Sequence, residues 1–381
     1  MQPFRILRDW RFWLAVLLIV TAVVSFRVKV GRRMPDFDVY RTAGSRAIAG
    51  EPLYQESDGH WQFKYLPAFA FAIAPMSLVP LRAARIGWFA FSIGLLIALL
   101  TLSLRLLPDR RARAGAIVGL TILALGKFYA HELELGQTNI MLAVFVLLAL
   151  SAWRAGREAT AGALLAAATI VKPYAILFLP YLVARRRGRA VAGFAAVLLA
   201  ALLLPAVRYG VGGNIDLLAG WWHTVTASTP PNVTVSDNIS IAAMYSKWLG
   251  IGPLASWLAT LTALLLVAAC ARVLLIEPRV AFPEYLDAAL LLTLIPLLSP
   301  QGWDYVLLLA TLAVMVLVNH LRGFSPPLRW LALVALLVPG LTLWDVVGRR
   351  IYTLFMVSSV VTLCYLFAIG LLLRLRRQQV A

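Results

Sequence analysis

The sequence predicts an all-α polytopic membrane protein with about twelve transmembrane helices, and three observations lead there. Hydrophobic residues make up 61% of the 381 positions and charged residues only 14%, with a mean hydropathy of +0.84. Water is therefore not the solvent for most of the surface. Apolar runs recur along the whole chain, many of them near the ~20 residues a helix needs to cross a bilayer. Short arginine clusters or Pro/Gly/Asn-rich breaks separate these runs, and no stretch is polar enough for a separate soluble domain. Residues 1–381 read as one unit.

The first run, 12–30, follows Arg5, Arg8 and Arg11 and has no small-x-small cleavage site behind it, so it reads as an uncleaved span. A long external loop, about residues 27–85, comes next. Inside it the apolar stretch Tyr65 to Pro80 carries Pro67, Pro75 and Pro80, which suits a helix lying on the outer membrane face or dipping in and returning. Runs at 86–107, 114–129, 139–153, 159–172, 174–184 and 190–209 follow. A second external loop, about residues 210–252, precedes runs at 253–271, 286–298, 304–321, 328–343 and 352–373. The runs at 114–129, 159–172 and 174–184 are too short for a full crossing, and half-length helices inside a bundle line cavities.

Arginines set the direction. With the N-terminus inside, the clusters Arg110/Arg111/Arg113, Arg154/Arg157, Arg185/Arg186/Arg187/Arg189, Arg272/Arg279, Arg322/Arg329 and Arg374/Arg376/Arg377 all fall on the cytoplasmic side. Arg27, Lys29, Arg32 and Arg33 run against this pattern and are outweighed by it. The formal charge of +18 thus reads as membrane-flanking charge and not as a nucleic-acid surface. Cys270 and Cys364 lie inside predicted spans, so neither a disulfide nor a thiolate metal site is expected.

Polar chemistry collects at the opposite, external boundary, in "HELELGQTN" (His131 to Asn139), "VKPY" (Val171 to Tyr174), "SPQGWDY" (Ser299 to Tyr305), "WDVVGRR" (Trp344 to Arg350) and the two loops. Acids are scarce, 17 against 35 bases, so an acid placed here is informative. Asp36 sits just after the first span in the dense stretch "MPDFDVYRTAG", and a carboxylate at the edge of a low-dielectric site can act as a base. Lys172 closes a short span before Pro173; at that depth a lysine snorkels, pairs with an acid or meets an anion such as phosphate. Gln137 and Asn139 stand at a helix start, where they can bind sugar hydroxyls or cap the helix. His131, Glu132 and Glu134 lack the H-E-x-x-H spacing and a second histidine nearby, so no metal is expected. Asp36-Phe37-Asp38 mimics a metal-binding D-x-D but has no soluble nucleotide-binding domain behind it. Trp221, Trp222, Trp303 and Trp344 suit an interfacial belt and can also stack on sugar rings. No Gly-rich phosphate loop, G-x-S-x-G or kinase signature is present, which argues against nucleotide-driven chemistry.

Taken in order, "DFDVYRTAGSRAIAGEPLY" (Asp36 to Tyr54), "FKYLPAFAFAIAPMSLVP" (Phe63 to Pro80), "GQTN" (Gly136 to Asn139), "KPY" (Lys172 to Tyr174), "DNIS" (Asp237 to Ser240) and "SPQGWDY" resemble glycosyltransferase family 87. The resemblance runs over about residues 12–320. It implies a GT-C-type bundle in a bacterial cell membrane, with the active site on the external or periplasmic side. It implies a sugar, most often mannose, carried on polyprenyl phosphate and transferred with inversion to a hydroxyl of a lipid or glycan acceptor, without a cofactor. In this resemblance Asp36 is the general base, and Asp38, Tyr40, Gln137, Asn139, Lys172, Asn238, Trp303 and Asp304 contact substrate. One departure stands out: many relatives carry one or two histidines after the tryptophan-containing turn, where this chain has Asp304 and Tyr305. His223, in the other external loop, is a candidate substitute.

Two other readings compete. A transporter or flippase of lipid-linked sugars calls for ionisable pairs at mid-membrane and an internal repeat, and neither is visible in the sequence. A non-catalytic subunit that has kept the fold is distinguished by substituting Asp36.

Overall fold

The computed structural model describes residues 30–276 and 282–378, and these are overwhelmingly helical. The predicted span at 12–30 falls, up to residue 29, outside the described residues.

Helix α1 (Pro35–Ala49) starts on a proline, whose fixed φ and missing N–H suit a first turn, and stops at Gly50 in the left-handed conformation. A 3-10 stretch, Glu56–Trp61, leads to α2 (Pro67–Ser77), which also starts on proline. The two helices pack backbone to backbone, since a Cβ on Gly44 would lie 3.0 Å from the Cα of Ala74. Both lie in the predicted first loop. Then come α3 (Leu81–Leu106), α4 (Ala114–Leu135), α5 (Asn139–Arg154) and α6 (Glu158–Val171). A 3-10 turn, Pro173–Leu177, leads into α7 (Phe178–Ala184), followed by α8 (Gly188–Leu203) and α9 (Ala206–Ser228). The second half holds α10 (Ile241–Leu249), α11 (Pro253–Leu275), α12 (Glu284–Leu298), the 3-10 stretch Asp304–Ala310 running into α13 (Thr311–His320), α14 (Pro326–Leu341), α15 (Trp344–Val357) and α16 (Val360–Gln378).

Small residues set the tightest crossings, as expected where lipid rather than water surrounds the helices. A side chain on Gly162 of α6 would overlap the Ala190 carbonyl of α8, and one on Gly193 would overlap that of Ala159. Gly340 of α14 meets the Ala124 carbonyl of α4 in the same way. At the centre runs Asp304–Gly323, with 94% of its most apolar window buried, against 22% for α11. The first is the axis of the bundle; the second faces outward.

Among the described residues four helices are long and apolar enough to cross a membrane: Leu81–Leu106, Ala114–Leu135, Pro253–Leu275 and Asp304–Gly323. Two bent pairs, α8 with α9 (90°) and α14 with α15 (107°), raise that to six if each counts as one span. The predicted count of about twelve goes beyond what length and composition single out among the described residues. Three local expectations change. The run at 114–129 is not short, because "HELEL" continues the helix to Leu135. Much of 210–252 is helix, in α9 and α10; its glycines and the break at Gly210 (φ 71°) hide this from a hydropathy reading. "WDVVGRR" opens helix α15 rather than a plain turn.

The helices alternate in direction, and this sorts the charges. Helix α4 leaves Arg113 and ends at His131–Leu135; α5 starts at Asn139 and ends at Arg154. Helix α6 ends at Lys172, and α7 leads to Arg185. At the arginine end Asn319 accepts from the backbone N–H groups of Arg111 and Ala112, and Arg154 donates to the Leu106 carbonyl. Lys172, Asp304 and the end of α4 meet at the other end.

Candidate active site

Glycine ends α4 where the site needs it. Gly136 adopts a left-handed φ of 75°, and a Cβ there would press on Met34 and Phe37, so the start of α1 rests on this turn. The indole N–H of Trp88 holds the Gly136 carbonyl at 2.9 Å. Asp36 is thereby set beside Gln137.

Gln137 is a hub. Its side-chain oxygen accepts from Lys172 Nζ at 2.9 Å and from the hydroxyls of Tyr40 and Tyr65, each at 3.2 Å. Those two hydroxyls lie 2.5 Å apart. Its amide nitrogen donates to the Tyr305 hydroxyl at 3.4 Å. Burial pushes the Asp36 carboxyl above its ordinary value, partly offset by the nearby Gln137 side chain and by the charges of Lys172, His131 and Lys64. Burial pulls the Lys64 ammonium down, and Asp36 partly restores it. Among the described residues neither Lys64 nor Lys172 has an ion-pair partner within 4.0 Å.

A second strand of contacts comes from the loops. Residues 237–239 run antiparallel to 302–304: Ile239 N donates to Gly302 O at 2.7 Å and Asp304 N to Asp237 O at 2.9 Å. Gly302 is required, because a side chain there would overlap the Pro296 carbonyl. The pairing carries Asp304 to a buried position where Lys127 Nζ (3.2 Å) and His131 Nδ1 (3.4 Å) face its two oxygens. Tyr352 joins Lys127 to Asp237 with contacts of 3.3 Å on either side.

These elements enclose a cavity of ≈ 490 Å³. Asp36, Tyr40, Gln137, Lys172, Trp303 and Asp304 all line it. Asp38, Asn139 and Asn238 do not. Asp38 pairs with Arg85, at 2.6 and 3.0 Å. Asn139 donates to the buried Glu132 at 2.7 Å, and the other Glu132 oxygen accepts from Ile140 N at 3.0 Å, so Glu132 caps α5 from the preceding helix. Asn238 donates to the carbonyls of Pro300 (2.7 Å) and Asn232 (3.0 Å) and holds the loops together.

The cavity also takes Lys64, Tyr65, Tyr174, Asp237 and Tyr305, which the sequence reading did not single out as site residues. The signal that existed was their place inside the quoted stretches "FKYLPAF", "KPY", "DNIS" and "SPQGWDY". His131 enters too, while His223 stays outside, 3.4 Å from the exposed Glu56. His131 of α4 faces Asp304, the residue that follows Trp303, at 3.4 Å. Trp221, Trp222, Trp61 and Trp303 supply aromatic wall. Among the described residues no group of three or more His, Cys, Asp or Glu side chains is placed to hold a metal ion. The arrangement offers a carboxylate of raised basicity, two lysines with no carboxylate within 4.0 Å among the described residues, and aromatic faces in one enclosure.

A family model, that of glycosyltransferase family 87, matches residues 63–300, which leaves α1 with Asp36 ahead of the matched segment. The comparison with curated proteins gives no match.

Proposed function

The chain belongs to glycosyltransferase family 87, and from that membership we propose that it transfers a hexose, mannose in the first instance, from a polyprenyl-phosphate donor to a hydroxyl of a lipid or glycan acceptor. The scaffold is a GT-C-type bundle working as a single domain. The observation that carries this reading is that Asp36, Gln137 and Lys172 line one cavity, with Lys172 Nζ held 2.9 Å from the Gln137 side-chain oxygen.

Such a reaction needs two different kinds of help. As the bond between the anomeric carbon and the phosphate oxygen breaks, its electron pair goes to the polyprenyl phosphate, whose negative charge grows. Lys172 and Lys64 meet that charge, in surroundings where water screens it little. As the new bond forms on the opposite face, the acceptor hydroxyl gives its proton to Asp36. Attack opposite the leaving phosphate inverts the anomeric configuration. The isoprenoid tail lies between the outward-facing helices. The arginine clusters at the far end of the helices support a cavity on the external side of a bacterial cell membrane.

The test uses liposomes holding the protein, a panel of radiolabelled polyprenyl-phosphate sugars and an envelope lipid extract. Transfer from one donor, lowered about 10²- to 10⁴-fold by Asp36→Asn, is the expected result. Undiminished transfer removes Asp36 as the base, and no transfer from any donor removes the donor class.

A further inference from the structure

Helix α1 has two polar sides. Asp36, Val39 and Tyr40 face the main cavity, whereas Asp38, Thr42 and Arg46, spaced at i, i+4 and i+8, form a stripe on another side. That stripe lines a second cavity of ≈ 250 Å³, which Asp58, Trp61 and Phe63 help to close. Val39 and Trp61 belong to both linings, so the two cavities share a wall. Nothing in the proposed transfer step uses the second one.

Its side chains are planar, paired and fixed. Both Arg46 Nη atoms grip Asp58, at 2.6 and 2.8 Å, and Arg85 grips Asp38 from outside the lining. Each carboxylate oxygen keeps a further lone-pair site for another donor. The Asp38 and Asp58 side chains remain 32% and 23% exposed, enough for a ligand to reach them. Trp61 is 37% exposed, with the Arg33 guanidinium 5.1 Å from its ring centroid.

The chemistry of the ligand follows by comparing classes. An anion would meet two carboxylates of its own sign in the lining, while both Nη atoms of Arg46 are already engaged by Asp58 and the Arg85 guanidinium by Asp38. A lipid tail would strip water from four charged groups and return nothing to them. A neutral ring carrying several hydroxyls, by contrast, can donate to the carboxylates, accept from the guanidinium groups and lie against the indole face.

We propose that this second cavity binds one sugar unit of a glycan acceptor, the unit next to the one whose hydroxyl is glycosylated beside Asp36, with Trp61 between them. This rests on the glycosyltransferase reading and adds to it: the acceptor carries at least two sugar units.

Binding is measured without donor, by calorimetry on the full chain in nanodiscs, with octyl glycosides of one, two and three hexose units in the manno and gluco series. Gaining one hydrogen bond to a charged group makes a two-unit glycoside bind about tenfold tighter than the one-unit glycoside, while the third unit adds little. Thr42→Phe, at an exposed position, fills the second cavity and removes that gain. Asp58→Asn keeps the shape and weakens it. Equal affinity for one and two units, no binding by any glycoside, or a gain that survives both variants overturns the proposal. Sugar release from polyprenyl-phosphate donors, followed separately on the unaltered chain, tests the transfer reading alone. A binding gain without donor turnover keeps the subsite and removes the donor.

Discussion

Asp36 is held where its charge is costly, and that has opposite consequences for stability and for chemistry. Because burial raises its pKa in the folded chain, the folded state holds the proton more tightly than the unfolded state does. This group's contribution to stability therefore falls as pH climbs from the ordinary carboxylate value of about 4 through the raised folded value. Asp36→Asn should lower transfer about 10²- to 10⁴-fold yet raise the thermal midpoint at pH 7, and the gap between variant and parent should close below pH ~4. Melting curves of the two proteins across pH decide this. The base works only when deprotonated, so the transfer rate should rise with pH through the same raised value. Lys172 has the complementary role: Lys172→Met should lower turnover about 10²- to 10³-fold, the range seen when one stabilising donor is lost at a reacting centre. Asp36 and Lys172 were legible because an acid or a lysine at a membrane boundary is rare enough to stand out. Tyr65 and His131 were not. Tyr65 opens an apolar run and His131 sits beyond the apolar part of α4, near its C-terminal end, and only the convergence of α1, α4 and the 302–304 loop brings them to Asp36 and Asp304.

Single elements show the same division. Helix ends in the structure fall where proline or glycine punctuates the chain, at Pro35, Gly50, Pro67 and Gly136, although the hydropathy pattern alone stopped the α4 run at 129. The antiparallel pairing of 237–239 with 302–304 was not, since "DNIS" and "SPQG" carry no strand pattern and are joined by side chains far apart in sequence. Asn238 is the clasp. Asn238→Ala takes from the part-buried carbonyls of Pro300 and Asn232 their shared donor, at about 0.5–1.5 kcal/mol for each bond lost. Because the paired segment carries Trp303 and Asp304 into the cavity, turnover should fall along with the thermal midpoint. A variant that melts lower but turns over normally would separate the clasp from the site. The same segment explains why Asn238 stands outside the cavity and still bears on it.

Across the whole molecule, the alternating helices leave the cavity at one end and the arginine clusters at the other, and a buried knot ties the second end. Asp287 of α12 is fully buried; it accepts from Arg376 Nε of α16 at 2.7 Å and, on its other oxygen, from Arg185 Nη2 and Tyr181 Oη, both at 2.9 Å. Three segments distant in sequence, α7, α12 and α16, are thereby joined around one carboxylate. Hydropathy placed all three as apolar runs but said nothing of the knot, because an aspartate in the first turn of a helix reads as a simple end signal. Arg376 is itself 0% exposed, so removing its partner strands a guanidinium in the interior. Asp287→Ala should lower stability by about 3–5 kcal/mol, the range for breaking a buried pair from one side. Adding Arg376→Met should recover part of that loss, because the double variant no longer buries an unpaired charge there. Thermal unfolding of the two variants in detergent measures both effects. The knot lies at the far end of the bundle, so the protein that remains folded should turn over substrate at the parent rate. A fall in that rate per folded molecule would mean that strain at the arginine end reaches Lys172 through α6 and α7, and that the two ends of the bundle are mechanically coupled.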